Sequence, residues 1–274
     1  MIERKIPKTG EAIPPVGLGT WSTFDVGRGE AERRPLGEVL DRFYGAGGKV
    51  IDSSPMYGKA EGVSGDLIAA KNARTKSFIA TKVWIEGRDR GIAQMEDSFR
   101  LFKTDVIDLM QVHNLVDWKT QLATMRDWKA KGRLRYIGIT HYTSSALTDL
   151  ARVLESERDL DFVQFAYSIG VREPEKRFLG LCQELGIATL INRPLEGGGL
   201  LRTIAKRKLP DWAAEFDCTS WAQFFLKYIL AHPAVTAIIP ATSNPAHMAD
   251  DLKAGEGRLP DEKTRKKMVE LVSA

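Results

Sequence analysis

A closed (β/α)8 barrel, an α/β fold of the TIM-barrel type, is the architecture this sequence predicts, and three observations predict it. Short β-branched runs alternate along the chain with amphipathic helical stretches. The runs are almost continuously apolar, as expected of parallel strands covered on both faces. Eight such units occur, which suits a closed barrel better than an open sheet.

In order, the strand runs are VGLGTW (16–21), KVIDSS (49–54), SFIATKVW (77–84), VIDLMQVH (106–113), YIGITH (136–141), FVQFAYS (162–168), ATLINRPL (188–195) and TAIIPAT (236–242). Helical segments between them include AERRPLGEVLDRFYGAG, RGIAQMEDSFRLFK, QLATMRDWKAKG and SWAQFFLKYILAHP. A doubly wound sheet usually opens with a glycine-rich fingerprint, and GLGTW lacks its third glycine and following helix. Ahead of the first strand, the KTGE turn in ERKIPKTGEAIPP predicts a β-hairpin capping the bottom of the barrel. PDEKTRKKMVELVSA predicts a terminal helix with Pro260 near its start. No linker, low-complexity tract or alignable repeat divides the sequence, so residues 1–274 are expected to form one barrel domain. After the seventh run, EGGGLLRTIAKRKLPDWAAEFDC spans 23 residues before the next helical pattern. Connections this long in compact domains are usually lids or binding loops, and Gly197–Gly199 permit close backbone approach to a ligand.

Composition narrows the function. At 43% hydrophobic and 28% charged the chain is an ordinary globular one, and a net charge of +4 is too small to argue for nucleic acid. Cys182 and Cys218 form no disulfide framework, and Cys182 in LGLCQELG reads as a small core residue. MIERKIPKTG carries no apolar signal-peptide region, and no run has the length of a membrane span. A reducing, cytoplasmic setting is the expectation.

Barrel active sites lie at the C-terminal strand ends. The ionisable residues there are Asp52, Lys82 and His113, on neighbouring strands, with Tyr57 in the loop beyond Asp52. Singly they read as a turn cap, a snorkelling lysine and a core histidine; together they can converge at one mouth. A free phenol is a poor acid at neutral pH. A nearby ammonium favours the phenolate, and a carboxylate keeps that ammonium charged and in place. Such a phenol could protonate a carbonyl oxygen that is becoming an alkoxide. His113 and His141 lie on separate runs with no ligand set at metal spacing, and there is no nucleophile elbow.

Along nearly its whole length the chain resembles the aldo-keto reductases. VGLGTW matches the family's first strand, IDSSPMYG its D-x-x-x-x-Y-G segment, IATKVW its lysine strand and DLMQVHN its histidine strand. The resemblance implies hydride transfer between a nicotinamide cofactor and an aldehyde or ketone. Tyr57 would be the general acid, Lys82 its tuner, Asp52 the anchor of Lys82, and His113 the group orienting the carbonyl. Substrate would also meet Trp21, Trp84 and Asn114.

The resemblance further implies cofactor contacts at Gly19, Thr20 and Trp21, at Asp52, at Thr140 and His141 in place of the usual Ser-Asn, and at Gln164. Asn192, Arg193, Pro194 and Leu195, with Gly197 and Gly198, follow the seventh strand. Ile239, Ala241, Thr242, Ser243, His247 and Asp251 follow the eighth. Arg193 could reach a phosphate, as could the helix N-terminus near Thr242 and Ser243. Ala241 and His247 replace two frequent cations, and Asp251 replaces a frequent asparagine. NADP(H) is expected, with NAD(H) as the alternative. The short C-terminus and Asn114 imply an open pocket tolerant of small carbonyls. No metal, membrane, nucleic-acid or obligate protein partner is expected. The rival expectations are a cofactor-sensing regulatory subunit and a Schiff-base enzyme using Lys82.

Overall fold

The computed structural model describes residues 1–273. Its first two strands, β1 (Arg4–Lys5) and β2 (Ala12–Ile13), pair antiparallel with Arg4 opposite Ile13. Gly10, at φ 73°, closes the hairpin and donates to the Ile6 carbonyl at 2.8 Å. The next eight strands are β3 (Leu18–Gly19), β4 (Val50–Asp52), β5 (Phe78–Val83), β6 (Ile107–His113), β7 (Leu134–Thr140), β8 (Phe162–Ala166), β9 (Ala188–Asn192) and β10 (Ala237–Ile238). They pair in parallel in chain order, and parallel bridges Val16–Ile238 and Gly19–Ala241 join the last to the first. The sheet is therefore the expected closed barrel.

The helices in chain order are α1 (Glu30–Gly45), α2 (Ala60–Ala70), α3 (Arg88–Phe102), α4 (Trp118–Ala130), α5 (Leu147–Ser156), α6 (Glu173–Lys176), α7 (Phe178–Glu184), α8 (Gly199–Thr203), α9 (Trp221–Leu230), α10 (Pro245–Leu252) and α11 (Glu262–Ser273). An outer core forms where helices meet strands, from residues such as Ile51, Ile79, Met110, Ile139 and Phe165. Gly65 lets α2 lie against α3, because a Cβ there would stand 2.0 Å from the Leu101 carbonyl oxygen. The long connection after β9 is not bare, contrary to its loop-like composition. It contains α8 and a 3₁₀ turn, Asp211–Phe216, held by the buried side chains of Ala213 and Phe216. None of the helices is long and apolar enough to cross a membrane, among the described residues.

Alternate residues on each strand face the barrel axis. At the lower end these are Val50, Phe78, Ala80, Leu109, Tyr136 and Phe162, which form an inner core with Ile6 and Ile13 of the hairpin. Phe78 stacks on Tyr136 at 5.8 Å, and Phe162 meets Tyr136 edge-on at 5.5 Å. The hairpin also supplies Glu11, whose carboxylate accepts from the Tyr136 hydroxyl and the Arg135 guanidinium, each at 2.5 Å. Two steps further up β5 and β6, the same inward rows reach Lys82 and then Gln111 and His113.

Candidate active site

Strand β4 ends on Asp52 because its backbone is held on both sides. Gly19 pairs with Asp52 in register, and the Asp52 carbonyl accepts from both the Thr20 N–H at 3.0 Å and the Thr20 hydroxyl at 2.9 Å. Its carboxylate is split between two tasks. Oδ2 accepts from Lys82 Nζ at 2.7 Å, while Oδ1 accepts from Gln164 Nε2 at 2.8 Å and Gln111 Nε2 at 3.4 Å. Lys82 is fully buried and also donates to the Ser53 carbonyl at 2.6 Å. A buried ion pair is tolerated only when further hydrogen bonds satisfy its partners, and these contacts do so.

The turn Ser54–Gly58 returns Tyr57 over this pair, with Lys82 Nζ 5.1 Å from the ring centroid. Burial pushes the Tyr57 phenol above its ordinary value, and the attraction of Lys82 only partly reverses that. The sequence had pointed to a lysine lowering this pKa; in the folded chain burial outweighs it. For Lys82, burial works against its charge, but Asp52 and Tyr57 outweigh it and the ammonium is held above its usual range.

His113 closes the group, its ring 6.2 Å from that of Tyr57 and edge-on. Burial, reinforced by Lys82, depresses its pKa to about 3, so the imidazole is neutral at physiological pH. Ser54 Oγ lies 3.1 Å from Nδ1 and accepts from the Met56 N–H at 3.2 Å. Nδ1 is the one acceptor recorded for the buried Ser54 hydroxyl among the described residues, so we assign the Ser54 proton to Nδ1, which leaves Nε2–H as a donor.

Asp52, Tyr57 and His113 line the floor of a cavity of about 660 Å³ at the C-terminal end of the barrel, with Lys82 bonded to Asp52 behind that lining. Of the other residues singled out from the sequence, Gly19, Thr20, Trp21, Asn114, Thr140, Gln164, Asn192, Arg193, Pro194, Leu195, Gly197, Gly198, Ile239, Ala241, Thr242, His247 and Asp251 line it as well. Three do not. The His141 ring turns to Thr143, whose N–H and hydroxyl lie 3.2 and 3.1 Å from Nδ1. Trp84 is drawn towards α3 by a 2.6 Å hydrogen bond from its backbone N–H to Gln94 Oε1. Ser243 is exposed, one residue before Asn244, which caps α10 by accepting from the Ala246 N–H at 2.9 Å. The helix N-terminus is thus capped by Asn244.

The wall also contains residues the sequence did not single out, among them Met56, Tyr142, Leu201 and Asp250. Gln111 was passed over too: the inward parity it shares with His113 was the available signal. Gln164 is already engaged, since its amide donates to Asp52 and its Oε1 accepts from Thr140 at 3.0 Å. In contrast, Asn114 Oδ1 and Asn192 Oδ1 are buried without a partner. The Asp251 carboxyl is buried against the same cavity, and that burial, with neighbouring Asp250, raises its pKa to about 8.

Comparison with known proteins agrees with this barrel. The profile of the Aldo/keto reductase family matches residues 15–268. The aldo-keto reductase YhdN of Bacillus subtilis is 26% identical, over 68% of this chain and 60% of its own length. The 6-dehydroglucose reductase of Novosphingobium aromaticivorans is 25% identical, over 92% of this chain and 89% of its own. An aldo-keto reductase from Klebsiella pneumoniae, crystallised with NADPH, superposes with a TM-score of 0.84, covering 99% of this chain and 96% of the other at 23% identity. With a family match over nearly all of the barrel, this chain belongs to the aldo/keto reductase family.

Proposed function

We propose that this protein is an NADP(H)-dependent oxidoreductase that reduces aldehydes or ketones to alcohols. The observation that carries the proposal is the Tyr57 phenol over the buried Lys82–Asp52 pair, beside a neutral His113, on the floor of one cavity.

A nicotinamide cofactor, when bound, supplies and accepts the hydride. The cavity offers it unspent groups. Asn192 Oδ1 is buried and unpartnered, and Arg193 lines the rim with no salt bridge among the described residues. Asn192 is therefore the better candidate than Gln164 for holding the carboxamide, and Arg193 for a phosphate. The Klebsiella relative crystallised with NADPH supports NADP(H) as the first choice.

On this reading each residue has one task. Tyr57 stays protonated at neutral pH and so holds the proton that an alkoxide oxygen needs. Once that proton has left, the Lys82 ammonium stabilises the phenolate, and Asp52 keeps Lys82 charged. His113 donates from Nε2 to the carbonyl oxygen and fixes its position. Gln164 and Gln111 hold Asp52 in the orientation that aims its second oxygen at Lys82.

NADPH oxidation should be followed with an activated aldehyde, for the wild type and for Tyr57→Phe. Loss of the phenol is expected to lower kcat by about 10²- to 10⁴-fold, the usual worth of a general acid, with cofactor affinity retained. Undiminished turnover by Tyr57→Phe would reject the assignment. Tight cofactor binding without turnover of any carbonyl would favour a regulatory subunit instead.

A further inference from the structure

Glu61 is buried between α2, β5 and α3, in the layer where helices pack on strands and apolar side chains prevail. Its Oε1 accepts from the Thr81 hydroxyl of β5 at 2.5 Å and from the Ser98 hydroxyl of α3 at 2.9 Å. Burial pushes the carboxyl above its ordinary pKa, and the two hydroxyls with Lys82 only partly reverse that. An apolar side chain would fill this position without that cost. Neither Glu61 nor Thr81 lines the cavity, so no ligand bound there meets them.

The position of Glu61 along the chain gives it a use. Asp52 and Lys82 stand on paired strands, and the β4–β5 ladder, with Asp52 opposite Ala80, sets their relative height. Tyr57 is not on a strand. It sits in the turn that leaves β4, and α2 begins just beyond it at Ala60. The ladder therefore does not fix how the phenol stands over Lys82. Glu61, in the first turn of α2, bonds to Thr81, the chain neighbour of Lys82. Alternation along β5 turns Ala80 and Lys82 to the axis and Thr81 outward to meet Glu61.

We propose that Glu61 is a positioning residue: its bonds to Thr81 and Ser98 lock the start of α2 onto β5 and α3, and so hold the Tyr57 phenol in place over Lys82. The inference rests on the proposed reductase reading and deepens it by naming the groups that set the geometry of the proton donor. The turn has two other tethers. At its entry the Ser54 carbonyl accepts from the Tyr57 N–H at 3.0 Å, and at its exit Asp25 Oδ1 accepts from the Lys59 N–H at 2.9 Å. Of the three, only the Glu61 bond reaches the strand that carries Lys82. The 5.1 Å between Lys82 Nζ and the Tyr57 ring centroid is thus set from outside the barrel.

The test compares Thr81→Val, which keeps the shape but removes the hydroxyl, with Thr81→Ser, which keeps the hydroxyl, and with Glu61→Gln, which keeps an acceptor. Thr81→Val should lower kcat by about 10- to 100-fold, the scale of an ångström-sized misplacement. KM for an activated aldehyde and NADPH affinity, read from tryptophan fluorescence, should not change. Thr81→Ser and Glu61→Gln should keep most of the wild-type kcat, and thermal melts of each variant check folding. In a Tyr57→Phe background, Thr81→Val should cause no further loss, because both substitutions act on the same proton transfer. Undiminished kcat in Thr81→Val, an equal loss in Thr81→Ser, or a full further loss in the Tyr57→Phe background would overturn the positioning role while leaving the reductase reading intact. Wild-type protein that binds NADPH but turns over no carbonyl would overturn the reductase reading, and this inference with it.

Discussion

The lower end of the barrel interior is filled. Ile6 and Ile13 of the hairpin, with Phe78, Tyr136 and Phe162, pack the axis with buried side chains. At the upper end the same strands present Asp52, Lys82, Gln111 and His113 and leave a cavity of about 660 Å³. Strand β5 shows the change within one row, from Phe78 to Ala80 to Lys82. Two residues of strand separate a side chain that stabilises by burial from one whose burial is unfavourable without its partners. Stability and chemistry are thus divided along the barrel axis, and each end can be perturbed separately.

Lys82→Met is the most severe way to break the division. It should lower kcat by at least about 10²-fold, the lower range for losing general acid catalysis. It should also cost about 3–5 kcal/mol of stability, because Asp52 is left buried and unpaired. Chemical denaturation and steady-state kinetics measure the two effects, and a variant as stable as wild type would show that Asp52 finds another partner or takes up a proton.

Phe162→Ala probes the opposite end. The lost volume should cost about 3–5 kcal/mol, yet kcat of the folded fraction should hardly change. If kcat fell with stability, the two ends would be mechanically coupled and the comparison would fail. Glu11→Ala is milder. It removes the acceptor shared by the Tyr136 hydroxyl and Arg135, and should cost about 1–3 kcal/mol with kcat unchanged.

A pH titration, compared with His113→Gln, reports on the upper end alone. His113 is held near 3 in the folded chain against 6.5 normally. The unfolded chain therefore binds the proton first, and the stability linked to His113 is complete above about pH 6.5 and lost as pH falls towards 3. Wild type should lose more stability than His113→Gln between pH 6.5 and 4. Parallel losses would place His113 in water. Asp251 has the reverse sign: its pKa of about 8 means the folded chain holds the proton, so its contribution fades as pH rises from 4 towards 8.

Much of the site was legible in the sequence because side-chain parity on a strand is local. Asp52, Lys82 and His113 stand at the ends of apolar runs, and a barrel brings neighbouring strand ends together wherever its strands are in order. What stayed hidden was decided by loops. His141 was expected beside Thr140 at the cofactor, but alternation from Tyr136 and Thr140 turns it off the inward row, and just past the end of β7 its ring meets Thr143. Met56 and Tyr142 carry no local signal, and only closure of the barrel brings them into one cavity lining. The connection after β9 looked bare because its glycines and charges mask the few side chains, such as Phe216, that anchor it.

By itself the sequence determined the eight-unit barrel, the hairpin at its base and the four groups that meet at its mouth, because periodicity and strand order fix which residues share a face. The tertiary structure decided the balance of forces at those groups. That Tyr57 is raised rather than lowered, that His113 is neutral, and that Gln164 is spent on Asp52 all depend on burial and on partners far apart in the chain. Desolvation is a property of the assembled surroundings, and no local stretch of sequence contains it.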